Sequence, residues 1–393
     1  MKRLLFLLIL FLAFFFRFNN LNWDKNYHLH PDERFLTMVA QAMLLPQNFG
    51  DYFNQQESFL NPSNIGFNFY VYGTFPLILT KYLAVNLGMD NYNDFTLLGR
   101  FLSALVDFLT VILVYKTAKL LFEKSKNVSH YTLNAIPLFS AFFYAVSVYP
   151  IQSAHFFTVD TFLNFFMFGS FYLILKGLLT NRFILYLFLS PLFFSLALAS
   201  KISALYILPL NLGPLFFILI LQQGSFIKMI IRYLLIVIGY LLFSYLFLRL
   251  FNPYYFENPS FFDPTLNNNF YQSIKSLKSF SNPEAWYPPA VQWIGKPWYG
   301  LLLTTFLVGL GPINFIICFV GLVYFLINSK LKIRISKLKL KIKNYHLIIF
   351  LIIFWVLGYF VYQSSQFVKS IRYTIYLYPF FAIFGGIGMS VIS

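Results

Sequence analysis

The ten residues Asn26–Phe35, "NYHLHPDERF", hold two histidines, a proline, two adjacent carboxylates and an arginine. A carboxylate in such a cluster can serve as a general base toward a hydroxyl group. His28, His30, Asp32 and Glu33 also offer the nitrogen and oxygen donors that divalent metals take, although His-x-His followed by Asp-Glu fixes no cage geometry. A plainer alternative is structural. Pro31 suits the first position of a helix, and Asp32 and Glu33 in its first turn complement the helix dipole.

Other ionisable residues interrupt apolar runs. Asp160 lies in "QSAHFFTVDTFLNFF", with His155 five residues before it. Lys201 breaks "FSLALASKISALYILP", and Arg372 opens "SIRYTIYLYPFFAIF". Charged groups at the edge of hydrocarbon are costly and tend to mark function, while Lys and Arg at span ends also snorkel without any further role. Two cations and two or three carboxylates on one face would suit a reaction in which a phosphate leaves and a hydroxyl loses its proton.

The elements that must hold these residues follow from composition. Of 393 residues 59% are hydrophobic and 22% aromatic, only 11% are charged, and the mean hydropathy is +0.68. A soluble chain would carry roughly a quarter charged residues. Apolar runs near the bilayer-crossing length recur from end to end, so the expected class is an all-α, multi-spanning membrane protein with about ten transmembrane helices. The spans are expected near 4–18, 101–122, 133–150, 157–179, 183–200, 203–221, 232–250, 299–327, 346–364 and 373–391. The first run lacks the small residues of a cleavage site and reads as an uncleaved span. Segment 67–87, interrupted by Gly73, Pro76 and Lys81, is expected to lie along the outer interface. The helix after Pro31 is expected to be interfacial too, with Phe35, Val39, Ala42 and Met43 as its apolar stripe.

Basic clusters set the sidedness. Lys2/Arg3, Lys116–Lys126, Lys176/Arg182, Lys228/Arg232 and Lys330–Lys343 all fall on the cytoplasmic side if 67–87 does not cross. The net charge of +16 then belongs to loops that meet anionic lipid rather than nucleic acid. The chain reads as one multi-spanning unit, 1–393, with two large outer segments, 19–100 and the aromatic-rich 251–298. The only cysteine, Cys318, excludes an intrachain disulfide. No Gly-rich phosphate loop, zinc-type spacing or internal repeat is present. A transporter or flippase of a lipid-linked saccharide is the alternative reading, but transporters place ionisable groups near the midplane and often carry repeats.

Asp-Glu just outside the first span resembles the signature of the GT-C glycosyltransferases that use lipid-phosphate sugars, the protein mannosyltransferases and the aminoarabinose transferases of lipid A among them. "GRFLSALVDFLTVILVYKTAKLLF", "SAHFFTVDTFLNFF", "ASKISALYILP" and "IRYTIYLYPF" follow in similar order, so the resemblance covers roughly 30–390. It implies a polyprenyl-phosphate sugar donor, an acceptor hydroxyl on lipid, glycan or protein, and inversion at the anomeric carbon. Asp32 would match the catalytic base and Glu33 its partner. Lys201, Arg372, Asp160, His155 and Arg100 would match positions near the donor phosphate or substrate. No cofactor is required by this reading; a divalent metal is left open, with His28 and His30 as its candidates. The chain stops near an apolar run and lacks a MIR-type insert, so no soluble C-terminal domain and a small prokaryotic plasma-membrane enzyme, N-terminus cytoplasmic and site extracytoplasmic, are expected.

Overall fold

The structure is a computed structural model that describes residues 2–122, 130–180, 182–220, 225–284, 288–328 and 344–392. Among them every regular element is helical, and the β-type pairing is an isolated bridge between Phe256 and Leu266. Hydrocarbon offers no hydrogen bonds, so a crossing segment must satisfy its backbone internally, and the apolar runs therefore coil into helices.

Among the described residues five helices are individually long and apolar enough to cross a bilayer: Tyr92–Phe122, Val159–Leu179, Phe226–Phe251, Leu347–Ser365 and Ile371–Ile392. Two bent pairs raise this to seven. Counted this way, the ten expected spans are not reached. The expected span 133–150 bends by 56° between Ala135–Ala145 and Val148–Ala154. The expected span 299–327 is not one rod either, since Gly300–Leu310 turns by 108° into Pro312–Ile327. Gly311, at a φ of 85°, supplies the left-handed conformation for that corner, and Pro312 starts the next helix. Segment 75–87 forms a helix of 13 residues, about 20 Å long at 1.5 Å per residue and too short to cross alone.

Helix Val159–Leu179 is the central post. It packs on Phe183–Leu198 and Tyr92–Phe122, and most of its side chains are buried. A polar knot ties the bundle together within the apolar layer. Arg17 Nε donates to Asp107 Oδ2 at 2.6 Å, and Arg17 Nη1 donates to the Ala145 carbonyl at 3.0 Å. Tyr144 gives its hydroxyl proton to Asp107 Oδ1 at 2.6 Å and accepts from Asn164 Nδ2 at 2.7 Å. Arg17 and Asp107 are wholly buried, so each charge depends on the other for compensation.

Helix Pro31–Ala42 buries a different stripe from the one expected. Its buried face is Glu33, Leu36, Thr37, Val39 and Ala40, and it packs on Tyr92–Phe122 and Phe75–Leu87. Phe35 is only half-buried and Ala42 exposed. The buried face is the one that carries Thr37 and Glu33, whose partners Thr96 and Arg100 lie on Tyr92–Phe122.

Segments 19–100 and 251–298 pack together. Tyr52 donates to the Leu250 carbonyl at 2.9 Å, and the Tyr254 hydroxyl donates to the Tyr52 carbonyl at 2.9 Å. Tyr255 stacks on Phe270 with centroids 4.0 Å apart. Loop 70–75 docks on the break after Phe183–Leu198, where Gly73 N donates to Ser200 O at 2.9 Å. A Cβ on Gly73 would stand 1.9 Å from the Ala199 carbonyl oxygen, so only glycine permits this approach. The basic segment 330–343, Lys124 and Lys126 lie outside the described residues. Sidedness is testable directly: cysteines introduced at Asn54, Asn268 and Ser370 are expected to react with an impermeant thiol reagent from one face, and one at Ser336 from the other. Labelling of Ser336 and Asn54 from the same face would contradict the expected topology.

Candidate active site

The charged residues picked out along the chain meet in two linked clusters. The first is open. Asp32, on the first turn of Pro31–Ala42, bonds through Oδ2 to Arg372 Nη1. Arg372 Nε donates to Asp160 Oδ2 at 2.6 Å, and Lys201 Nζ donates to Asp160 Oδ1 at 2.8 Å. The result is a chain Asp32–Arg372–Asp160–Lys201 drawn from four distant parts of the sequence.

Helix breaks place these groups. Asp160 starts Val159–Leu179, Lys201 sits between Phe183–Leu198 and the 3-10 turn Ile202–Ile207, and Arg372 sits in the 3-10 turn Ile371–Leu377. Irregular backbone at such depth is tolerated where protein, not lipid, surrounds it. Asp160 is nearly closed off, with 5% of its side chain exposed, whereas Asp32 and Arg372 each keep about a quarter exposed. Among the described residues Asp32 Oδ1 carries no hydrogen bond, so one carboxylate oxygen faces outward while the other is held. Tyr72, absent from the sequence expectations, lies with its ring 5.8 Å from the Arg372 guanidinium. Burial pushes its phenol well above the usual range, keeping it a neutral donor.

The second cluster is closed. Arg100 donates to both oxygens of Glu33, at 2.8 and 2.5 Å, and to both oxygens of Asp24, at 3.0 and 2.7 Å. The Phe157 amide adds a bond to Glu33 Oε2 at 2.7 Å, and Arg100 lies 5.4 Å from the Trp23 ring centroid. Hydrogen bonds from Arg100 hold the Asp24 carboxyl below its usual value. Glu33 is fully buried. It therefore stands back to back with Asp32 and fixes the helix that carries it, and Arg100 sits in this cluster rather than beside Asp32. Asp24 went unnoticed in the sequence because nothing in "NNLNWDKNY" marks it. Asn20, Lys25, Asn26 and His28 adopt left-handed φ of 56°, 51°, 65° and 50°, a turn-rich path that brings Asp24 back toward the helix start.

The histidines are engaged locally. His30 caps Pro31–Ala42, its Nδ1 accepting from Glu33 N at 3.4 Å, and stacks on Phe156 at 4.3 Å. His28 Nε2 pairs with Asn93 Oδ1 at 2.8 Å, and His155 contacts the Ile151 and Asn19 carbonyls at 2.8 and 3.0 Å. Among the described residues no three His, Cys, Asp or Glu side chains converge as a metal site. Burial lowers the His30 pKa from 6.5. The unfolded chain thus binds the proton first, and folding stability falls as pH drops below about 6.5. Replacing His30 with Asn keeps a cap and removes the titration, so His30→Asn is expected to flatten the fall in unfolding temperature between pH 7.5 and 5.5. An unchanged slope would show that His30 does not set it.

The sequence model of the dolichyl-phosphate-mannose-protein mannosyltransferase family matches residues 92–247. No curated protein matches the chain by sequence. Solved structures do match by fold. The apo oligosaccharyltransferase of Archaeoglobus fulgidus superposes with a TM-score of 0.63 at 12% identity, over 100% of this chain and 50% of that one. The same organism's AglB, in complex with an inhibitory peptide and a dolichol-phosphate, gives 0.53 at 15%, over 94% and 51%. ArnT from Cupriavidus metallidurans bound to undecaprenyl phosphate gives 0.55 at 15%, over 92% and 59%. The chain thus spans between half and three fifths of these structures' length. The all-helical GT-C membrane fold implied by the sequence resemblance is borne out.

Proposed function

We propose that this GT-C-fold protein is a membrane glycosyltransferase that moves one sugar, hexosyl or pentosyl, from a polyprenyl-phosphate donor to an acceptor hydroxyl at the outer face of the plasma membrane. The observation that carries this is the Asp32 carboxylate, held through one oxygen by Arg372 and free at the other. In the reaction the acceptor O–H gives its proton to Asp32 Oδ1, and the acceptor oxygen forms a bond to the anomeric carbon. The bond from that carbon to the phosphate oxygen breaks on the opposite side, its electron pair staying on the lipid phosphate. Inversion follows. Arg372 and Lys201, oriented by Asp160, face the charge that grows on the phosphate. Glu33, Arg100 and Asp24 act as positioning residues beneath Asp32. The lipid phosphates in the solved AglB and ArnT complexes support a donor of this chemistry.

The test is transfer of labelled sugar from a polyprenyl-phosphate donor to a mixed acceptor extract by purified protein in lipid. Movement of intact donor between leaflets without transfer would favour the flippase reading instead. In the same assay Lys201→Met is expected to lower turnover at saturating donor by about 100-fold, on the order of 3 kcal/mol. Turnover within about threefold of wild type, less than 1 kcal/mol, would leave Lys201 as a snorkelling cation.

A further inference from the structure

The open cluster is electrically balanced. Arg372 and Lys201 are matched by Asp32 and Asp160, so the cluster has no net positive charge with which to retain the spent lipid phosphate, a monoester that approaches two negative charges near neutrality. Uncompensated cations stand close by in the chain. Lys369, three residues before Arg372, and Lys296 line one cleft together with Gln292, Trp293, Tyr299 and Thr304. The cleft offers about 450 Å³, roomy enough for a headgroup. Lys369 Nζ donates to the Gln366 carbonyl at 2.9 Å, which pins the ammonium in place. Among the described residues no carboxylate lies within ion-pair distance of either lysine.

The surroundings point to a lipid. Trp298 and Tyr299 are exposed by 65% and 48%, the residue types that gather at the headgroup level of a bilayer. From the cleft, segment Gly300–Leu310 presents Leu303, Leu307 and Val308, exposed by 44%, 46% and 63%. Leu303 lines the cleft, and Leu307 and Val308 follow in the π-helical turn Thr304–Leu310, so exposed apolar side chains continue from the cleft.

We infer that the Lys296–Lys369 cleft is a binding site for the phosphate monoester of a lipid lying in the outer leaflet, with its hydrocarbon along Leu303, Leu307 and Val308. Two ammonium groups match the monoester's charge, whereas a phosphodiester headgroup offers half of it. The choice of polyprenyl phosphate as occupant rests on the transferase reading above; the site itself does not. Held there, the spent lipid phosphate would leave the balanced cluster free for the next donor.

The experiment is binding of sugar-free polyprenyl phosphate to the full-length protein in nanodiscs of neutral lipid, which needs no turnover. Lys296→Met and Lys369→Met together are expected to weaken binding by about tenfold or more, since a charge-assisted hydrogen bond contributes on the order of 1.5–3 kcal/mol. Unchanged affinity in the double variant overturns the site. Equal competition by phosphatidylglycerol, a diester, overturns its monoester preference, and equal competition by inorganic phosphate overturns the lipid stripe. Lysine-dependent binding in a protein that transfers no sugar would uphold the site while refuting the transferase reading.

Discussion

Asp32→Asn is expected to reduce sugar transfer by about 100-fold or more while leaving the protein folded. The amide keeps the shape of the carboxylate and its oxygen can still accept from Arg372, so the link to Asp160 and Lys201 has no reason to dissolve. What disappears is a group able to take the acceptor's proton, and general base catalysis typically contributes 10²–10⁴-fold. Asp32 is a quarter exposed, so the substitution leaves no unpaired charge in the interior. The measurement is turnover at saturating donor, read beside the unfolding temperature. A folded Asp32→Asn protein that turns over like wild type would remove Asp32 from the reaction.

Arg100→Met is expected to act in the opposite manner, through stability. Arg100 is the shared partner of Asp24 and Glu33, and all three are buried. Removing the guanidinium leaves two carboxylates facing each other without a counter-charge, and breaking a buried pair typically costs about 3–5 kcal/mol. Transfer should vanish with it, because the helix that carries Asp32 loses its anchor. Neutralising the acids as well, in the triple variant Arg100→Met, Asp24→Asn, Glu33→Gln, is expected to recover part of the unfolding temperature. The single variant melting with wild type would refute the anchoring role. A triple variant no more stable than the single one would show that charge is not what the cluster supplies. The two variants also separate the neighbouring acids, since Asp32→Asn is silent in the melt and Arg100→Met is not.

Composition and hydropathy were enough to determine the fold class. A chain this apolar has to enclose its backbone hydrogen bonds, and helices do that from local sequence alone. The start of the motif helix was legible as well, because Pro31 is acceptable at the first helical position and costly further in. The basic clusters implied a common side for Asp32, Asp160, Lys201 and Arg372, and ion pairs join the four. Which of two adjacent acids faces outward was not legible. Neighbouring positions on a helix differ by about 100°, and the rotation of Pro31–Ala42 is set by burial of Leu36, Thr37 and Ala40, which turns Glu33 inward and Asp32 out. The corner at Gly311 was equally hidden inside an apolar run of spanning length. Pairings such as Arg372 with Asp160 and Arg17 with Asp107 join residues far apart in the chain, and only the packing of whole helices decides which buried charge meets which.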